Sequence, residues 1–105
     1  MSFDQRFAVI GKYKGYDRED ITVSTTAIGF TASKLITKPP PKRAVMTLEG
    51  ATIRYTYDGT DPTTDLGHQM FIGDILIIEG TENLNKFKAI RDGTVNGKLV
   101  ATFER

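Results

Sequence analysis

The sequence predicts an all-β domain, a sandwich or barrel of short strands, and three observations predict it. From residue 44 onward, short apolar or alternating runs (44–48, 52–57, 70–72, 75–79, 87–91 and 99–103) are separated by turn-rich pieces such as Glu49-Gly50, Gly73-Asp74 and residues 92–97. Strands with turn signals roughly every 8–12 residues belong to sandwiches or barrels, not to βαβ folds. Within ATIRYTYDGTDPTT (51–64), Ile53, Tyr55 and Tyr57 alternate with Thr52, Arg54 and Thr56, the two-residue period of a half-buried strand whose tyrosines face the core. No window of about 12 residues carries a helical stripe.

The elements follow in chain order. Residues 1–20 interleave Phe3, Phe7, Tyr13 and Tyr16 with Arg6, Lys12, Lys14 and Arg18, and Gly11 and Gly15 interrupt the pattern. This reads as an N-terminal arm or edge strand, with strand material at 7–10, set apart from a sandwich domain over 21–105. Residues 20–27 alternate, with Ile21 and Val23 opposite Thr22 and Ser24, and predict a strand. Residues 28–36 tolerate one helical turn at Ala32, Ser33, Lys34 and Leu35, but Gly29 and the β-branched flanks favour a bend followed by extended chain. Lys38-Pro39-Pro40-Pro41-Lys42-Arg43 lacks the amide donors of a central strand and reads as a stiff, exposed, basic connector. Ile75-Leu76-Ile77-Ile78 is apolar on both faces, so its strand is either central and covered on both sides or covered by another subunit.

Composition narrows the function. The chain has 105 residues, one domain in size, and no cysteine, which excludes disulfides and thiolate metal sites. No apolar run approaches the roughly 18 residues of a membrane span, and the first residues do not form a signal peptide, so a soluble, unprocessed product is expected. The net charge of +1 argues against a dedicated nucleic-acid binder. Residues 1–50 carry 8 basic and 5 acidic side chains and residues 51–105 carry 6 and 8. That asymmetry fits a solvated surface or head-to-tail complementarity between copies.

Catalysis is hard to assemble. His68 is the only histidine, best read as a structural group at a strand edge, and Ser2, Ser24 and Ser33 have no base motif beside them. Asp58, Asp61, Asp65 and Asp74 cluster in sequence as hard-cation ligands do, yet their spacing does not match an EF-hand loop. Turn chemistry accounts for the same residues: Asp58 as an Asx-turn acceptor, Gly59 at positive φ, and Asp61-Pro62 ending the ladder. No enzyme, cofactor or metal is expected.

IRYTYDGTDPTT, GHQMFIGDILIIEG and NKFKAIRDG carry two resemblances. The strand and turn resemble the immunoglobulin-like module at the C-terminal end of chitobiase-type carbohydrate-active proteins. The order TAIGFTASKL, AVMTLEGATIRYTYDGTDPTT, GHQMFIGDILIIEG, KFKAIRDG and LVATFER is similar to that of small tailed-phage proteins over 21–103, and this is the better match. The resemblance implies an immunoglobulin-like β-sandwich of about seven to eight short antiparallel strands with an N-terminal arm or extra strand. It further implies a non-enzymatic virion protein assembled in the host cytoplasm, either a capsid decoration or cement protein or a small head-to-tail connector or tail piece. The alternative from the first resemblance is an accessory carbohydrate-binding module of a surface protein. The expected partners are the major capsid protein or another virion protein and further copies of the chain, without nucleic acid or membrane. Phe3, Phe7, Tyr13, Tyr16, Lys38, Lys42 and Arg43 are the expected interface, with Asp58, Gly59, Asp61 and Pro62 as a structural turn.

Overall fold

A computed structural model describes residues 11–105, so the strand expected at 7–10 lies outside the described residues. The chain runs β1 (Gly15–Val23), α1 (Ala32–Leu35), β2 (Arg43–Glu49), β3 (Ile53–Thr56), β4 (His68–Met70), β5 (Ile75–Glu79), α2 (Thr81–Lys86), β6 (Lys88–Arg91) and β7 (Gly97–Glu104). It forms an antiparallel β-sandwich, one sheet ordered β1-β7-β2-β5 and the other β4-β3-β6. Seven strands divided four and three are the expected architecture, with one detail of order added. The last strand lies between β1 and β2, whereas in immunoglobulin order it joins the three-stranded sheet.

Alternation builds the core. Ile21 and Val23 of β1, Ala44, Met46 and Leu48 of β2, and Leu99, Ala101 and Phe103 of β7 turn inward and are buried. They meet Ile53, Met70 and Ala89 from the second sheet, together with Leu84 and Phe87. Phe30 stacks on Phe87 at 5.0 Å between centroids and meets Phe103 edge-on at 5.3 Å. At Gly97, an added Cβ would lie 2.6 Å from Ile53 Cγ2, so the layers close there only around a residue without a side chain.

Several expectations need correction. β1 begins at Gly15, so the division at residue 20 falls inside a single edge strand that pairs with β7 along its length. Residues 32–35 form a helical turn, anchored by buried Leu35, instead of extended chain. Residues 80–83, a turn signal in the sequence, instead open a helix, α2, over 81–86; it carries one buried residue, Leu84, too few for a stripe, with the Glu82–Lys86 pair along its surface. β4 ends at Met70, and Phe71 and Ile72 enter a turn in which Asp74 accepts the Phe71 amide at 2.8 Å. β3 ends at Thr56, so Tyr57 leaves the core and is 49% exposed. The connector is exposed at Lys38, Pro39 and Pro40, but Pro41 is buried. Among the described residues β5 is not central; it is the edge opposite β1.

The two sides of the sandwich differ. Beyond β1, the chain crosses to β6: Ile28 and Ala89 exchange backbone bonds of 2.9 and 2.8 Å, and the Arg91 amide reaches Ser24 O at 3.0 Å. That side is closed. On the other side, β5 pairs only with β2 among the described residues. The Gly80 amide donates to Lys42 O at 2.8 Å, and ladder alternation then turns the peptide groups of Leu76 and Ile78 toward β2. Those of Ile75, Ile77 and Glu79 point outward from an open edge.

A largely buried ion pair ties the ends of β2 and β7. Arg43 and Glu104 side chains are 12% and 9% exposed, and Arg43 Nε donates to Glu104 Oε1. Removing one member strands the other charge, so Arg43→Ala should cost about 3 kcal/mol in urea unfolding. Replacing both members together, Arg43→Met with Glu104→Leu, should recover most of that loss; an undiminished deficit in the double variant would show that the pair is not the cause.

Candidate functional site

Three surfaces gather the residues that the sequence singles out. The first lies at the start of β1. Tyr13 is ringed by cations: Arg43 lies 4.5 Å above its ring, with Lys12 and Lys42 ammonium groups at 5.5 and 5.9 Å. Tyr16 is half-buried against the core, bonds Thr37 Oγ1 through its hydroxyl at 3.2 Å and lies 3.8 Å beneath the Arg105 guanidinium. Of the basic residues in the connector, Lys38 and Lys42 are exposed, while Arg43 is committed to Glu104 within the fold. The structure therefore brings together Tyr13, Lys42 and Arg43, places Tyr16 one strand away, and leaves Lys38 apart on the proline connector. Phe3 and Phe7 lie outside the described residues.

The second surface is the 58–66 loop. Asp58 Oδ1 accepts from the Thr60 amide at 3.0 Å and from its hydroxyl at 2.6 Å, and Gly59 holds φ +93°. These bonds keep the Asp58 carboxyl below the usual carboxylate value, the Thr60 hydroxyl being the largest cause. Asp61 pairs with Lys88 at 2.7 Å, and Pro62 is buried. Thr63 Oγ1 receives the Asp65 and Leu66 amides at 3.1 and 3.0 Å. The loop, with Tyr57 and His68, lines a surface basin of about 600 Å³. The His68 ring lies 5.3 Å from Tyr55 and 6.0 Å from Tyr57. Among the described residues, no three His, Asp or Glu side chains gather to hold a metal ion. Asp58 and Asp61 spend their carboxylates on the fold itself.

The third surface is the open side. A groove of about 290 Å³ runs beneath the β5 edge, lined by Tyr55, Tyr57, Leu76, Ile77, Ile78 and Asn83. Burial is the main cause that pushes the Tyr55 phenol above its ordinary value, followed by neighbouring Tyr57 and Asp74. Exposed apolar side chains collect here. Of the eight large hydrophobic residues exposed among those described, five (Tyr57, Leu66, Phe71, Ile72 and Ile77) fall on β5 or on the segments around β4. Ile77 sits beside Val45 on the outer face of the four-stranded sheet. Sequence reasoning found the apolar run of β5 but not the edge, because strand order is set by distant partners.

Comparison of the chain with protein-family models, with curated proteins and with solved structures returns no match. No helix among the described residues is long and apolar enough to cross a membrane.

Thr60→Ala should raise the Asp58 pKa measured by side-chain NMR titration. A folded value below the unfolded one makes Asp58 stabilising above the unfolded carboxylate range, and that contribution is lost as pH falls through the folded value. In Thr60→Ala the contribution should therefore be smaller and its loss complete at higher pH. An unchanged Asp58 titration would contradict the hydrogen-bond assignment.

Proposed function

We propose that this chain is a non-enzymatic structural protein of a tailed-phage virion, a capsid decoration or cement protein that binds the assembled shell as an oligomer. The observation that carries the reading is the open side of the sandwich. A β edge without a partner among the described residues, with an apolar groove beneath it and exposed Ile72, Phe71 and Ile77 around it, is a surface suited to another chain, since solvent-facing edges otherwise invite uncontrolled pairing. The resemblance of the order of sequence elements to that of small tailed-phage proteins suggests the class of partner. Exposed Lys38 and Lys42 would meet acidic shell surface, Lys38 from the proline connector and Lys42 from the sheet at the start of β2. Arg43, consumed by Glu104, is not part of that contact.

The mechanism is mass action. A protein that binds only the closed shell stabilises it by the free energy of binding, and repeated copies on a symmetric lattice convert weak contacts into avidity. Virions purified from the encoding phage should contain the chain in many copies, and the purified protein should co-sediment with shells stripped of it and raise their temperature of disruption. Virions without the chain, together with stripped shells that neither bind it nor gain heat resistance, would overturn the reading.

A further inference from the structure

We propose that the open edge of β5 is completed by residues 3–10 of a second copy of this chain, which add as an antiparallel strand. This deepens the assembly reading above and rests on it for its purpose, though not for its geometry. The edge offers outward peptide groups at Ile75 and Ile77 and the outward amide of Glu79, whose carbonyl is taken by Asn83 Nδ2 at 3.0 Å; none of the three residues has an outer strand partner among the described residues. Beneath it lies the groove of about 290 Å³ between Leu76 and Ile78 on one wall and Tyr55 and Tyr57 on the other. An added strand gains main-chain bonds from such an edge and side-chain specificity from the pocket below it.

Residues 3–10, FDQRFAVI, fit that edge in one register. Alternation puts Phe7 and Val9 on one face and Arg6, Ala8 and Ile10 on the other. Run antiparallel, Arg6 falls opposite Glu79, Ala8 opposite Ile77, and Ile10 opposite Ile75. The outer face then pairs opposite charges at one end and apolar groups along the rest; Glu79 is 64% exposed, and its long 3.8 Å pair with Arg43 leaves room for a second cation. Phe7 and Val9 fall opposite Ile78 and Leu76 and enter the groove, where an aromatic ring fits the space.

Reach decides whose strand it is. Tyr13 lies over Arg43, which pairs in register with Glu79, so the described chain stops beside the Glu79 end of β5. Gly11 is two residues from Tyr13, at most about 7 Å of extended chain. The antiparallel register places Ile10 at the Ile75 end, four residue steps or about 13 Å along β5 from Glu79, while Ile10 is only three residues, about 10 Å, from Tyr13. In this antiparallel register a chain cannot lay the strand on its own edge, but a neighbour can.

Light scattering and complementation test this on the full-length protein. The unaltered chain should have at least twice the 11.7 kDa mass of one copy, and Phe7→Asp and Ile77→Pro should each fall to a single copy. Proline is suited to Ile77 because that amide gives no ladder bond to β2, and Ile77→Lys serves if it fails to fold. Mixing the two variants should restore dimers, because one keeps an intact edge and the other an intact strand. Arg6→Glu should raise the dissociation constant roughly tenfold, and adding Glu79→Lys should return it. A monomeric unaltered chain, an oligomer that survives Phe7→Asp, or variants that fail to complement would overturn the exchange. Monomeric variants that still bind shells would leave the proposed function standing, while complementing variants with no affinity for shells would sink that function alone.

Discussion

β7 is the strand on which the sandwich depends, because it is hydrogen-bonded along both flanks, to β1 from Gly97 to Glu104 and to β2 from Lys98 to Glu104. Its inward residues, Leu99, Ala101 and Phe103, are fully buried, and Phe103 meets the aromatic stack that joins the layers. With both flanks of β7 satisfied, the four-stranded sheet ends, among the described residues, at β1 and β5. The β1 edge is guarded by charge: Asp17, Arg18, Glu19 and Asp20 lie along it, with Asp17 paired to Lys34 at 3.1 Å. Charged side chains on an edge discourage further pairing. β5 has no such guard until Glu79.

That contrast links fold to function. The crossover by residues 24–28 closes one side of the sandwich, whereas on the other side β4 and β5 are joined by a short turn that projects Phe71 and Ile72 instead of covering the edge. The result is an asymmetric module, closed on one side and, among the described residues, ending in a β edge on the other. The 58–66 loop belongs to the structural part of this division, since its carboxylates are engaged by Thr60 and Lys88. Function is therefore read from an edge and a groove, not from the loop whose composition first invites a chemical explanation.

Much of the fold was legible in the sequence because period-two alternation is local. β5 occupies the residues its apolar run implied, and β2, β3, β6 and β7 lie within two residues of theirs. What was not legible depended on contacts between distant parts of the chain. α2 rests on a single buried leucine and leaves no stripe, and Tyr57 points outward because β3 stops one residue before it. Arg43 looked like part of a basic patch because its partner, Glu104, is 61 residues away. Nothing in the apolar run of β5 said that it would form an edge, since that position follows from β7 taking the place between β1 and β2. The open side was visible only as apolar character on both faces of one strand, for which cover by another subunit remains the reading proposed.

Backbone hydrogen exchange measured across a dilution series tests the open edge most directly. Amides of Leu76 and Ile78, bonded within the sheet, should exchange slowly at every concentration, while those of Ile75, Ile77 and Glu79 should be protected in concentrated protein and lose protection on dilution. Protection of the Ile77 amide that does not change with concentration, or its absence at every concentration, would contradict an edge completed by a second copy.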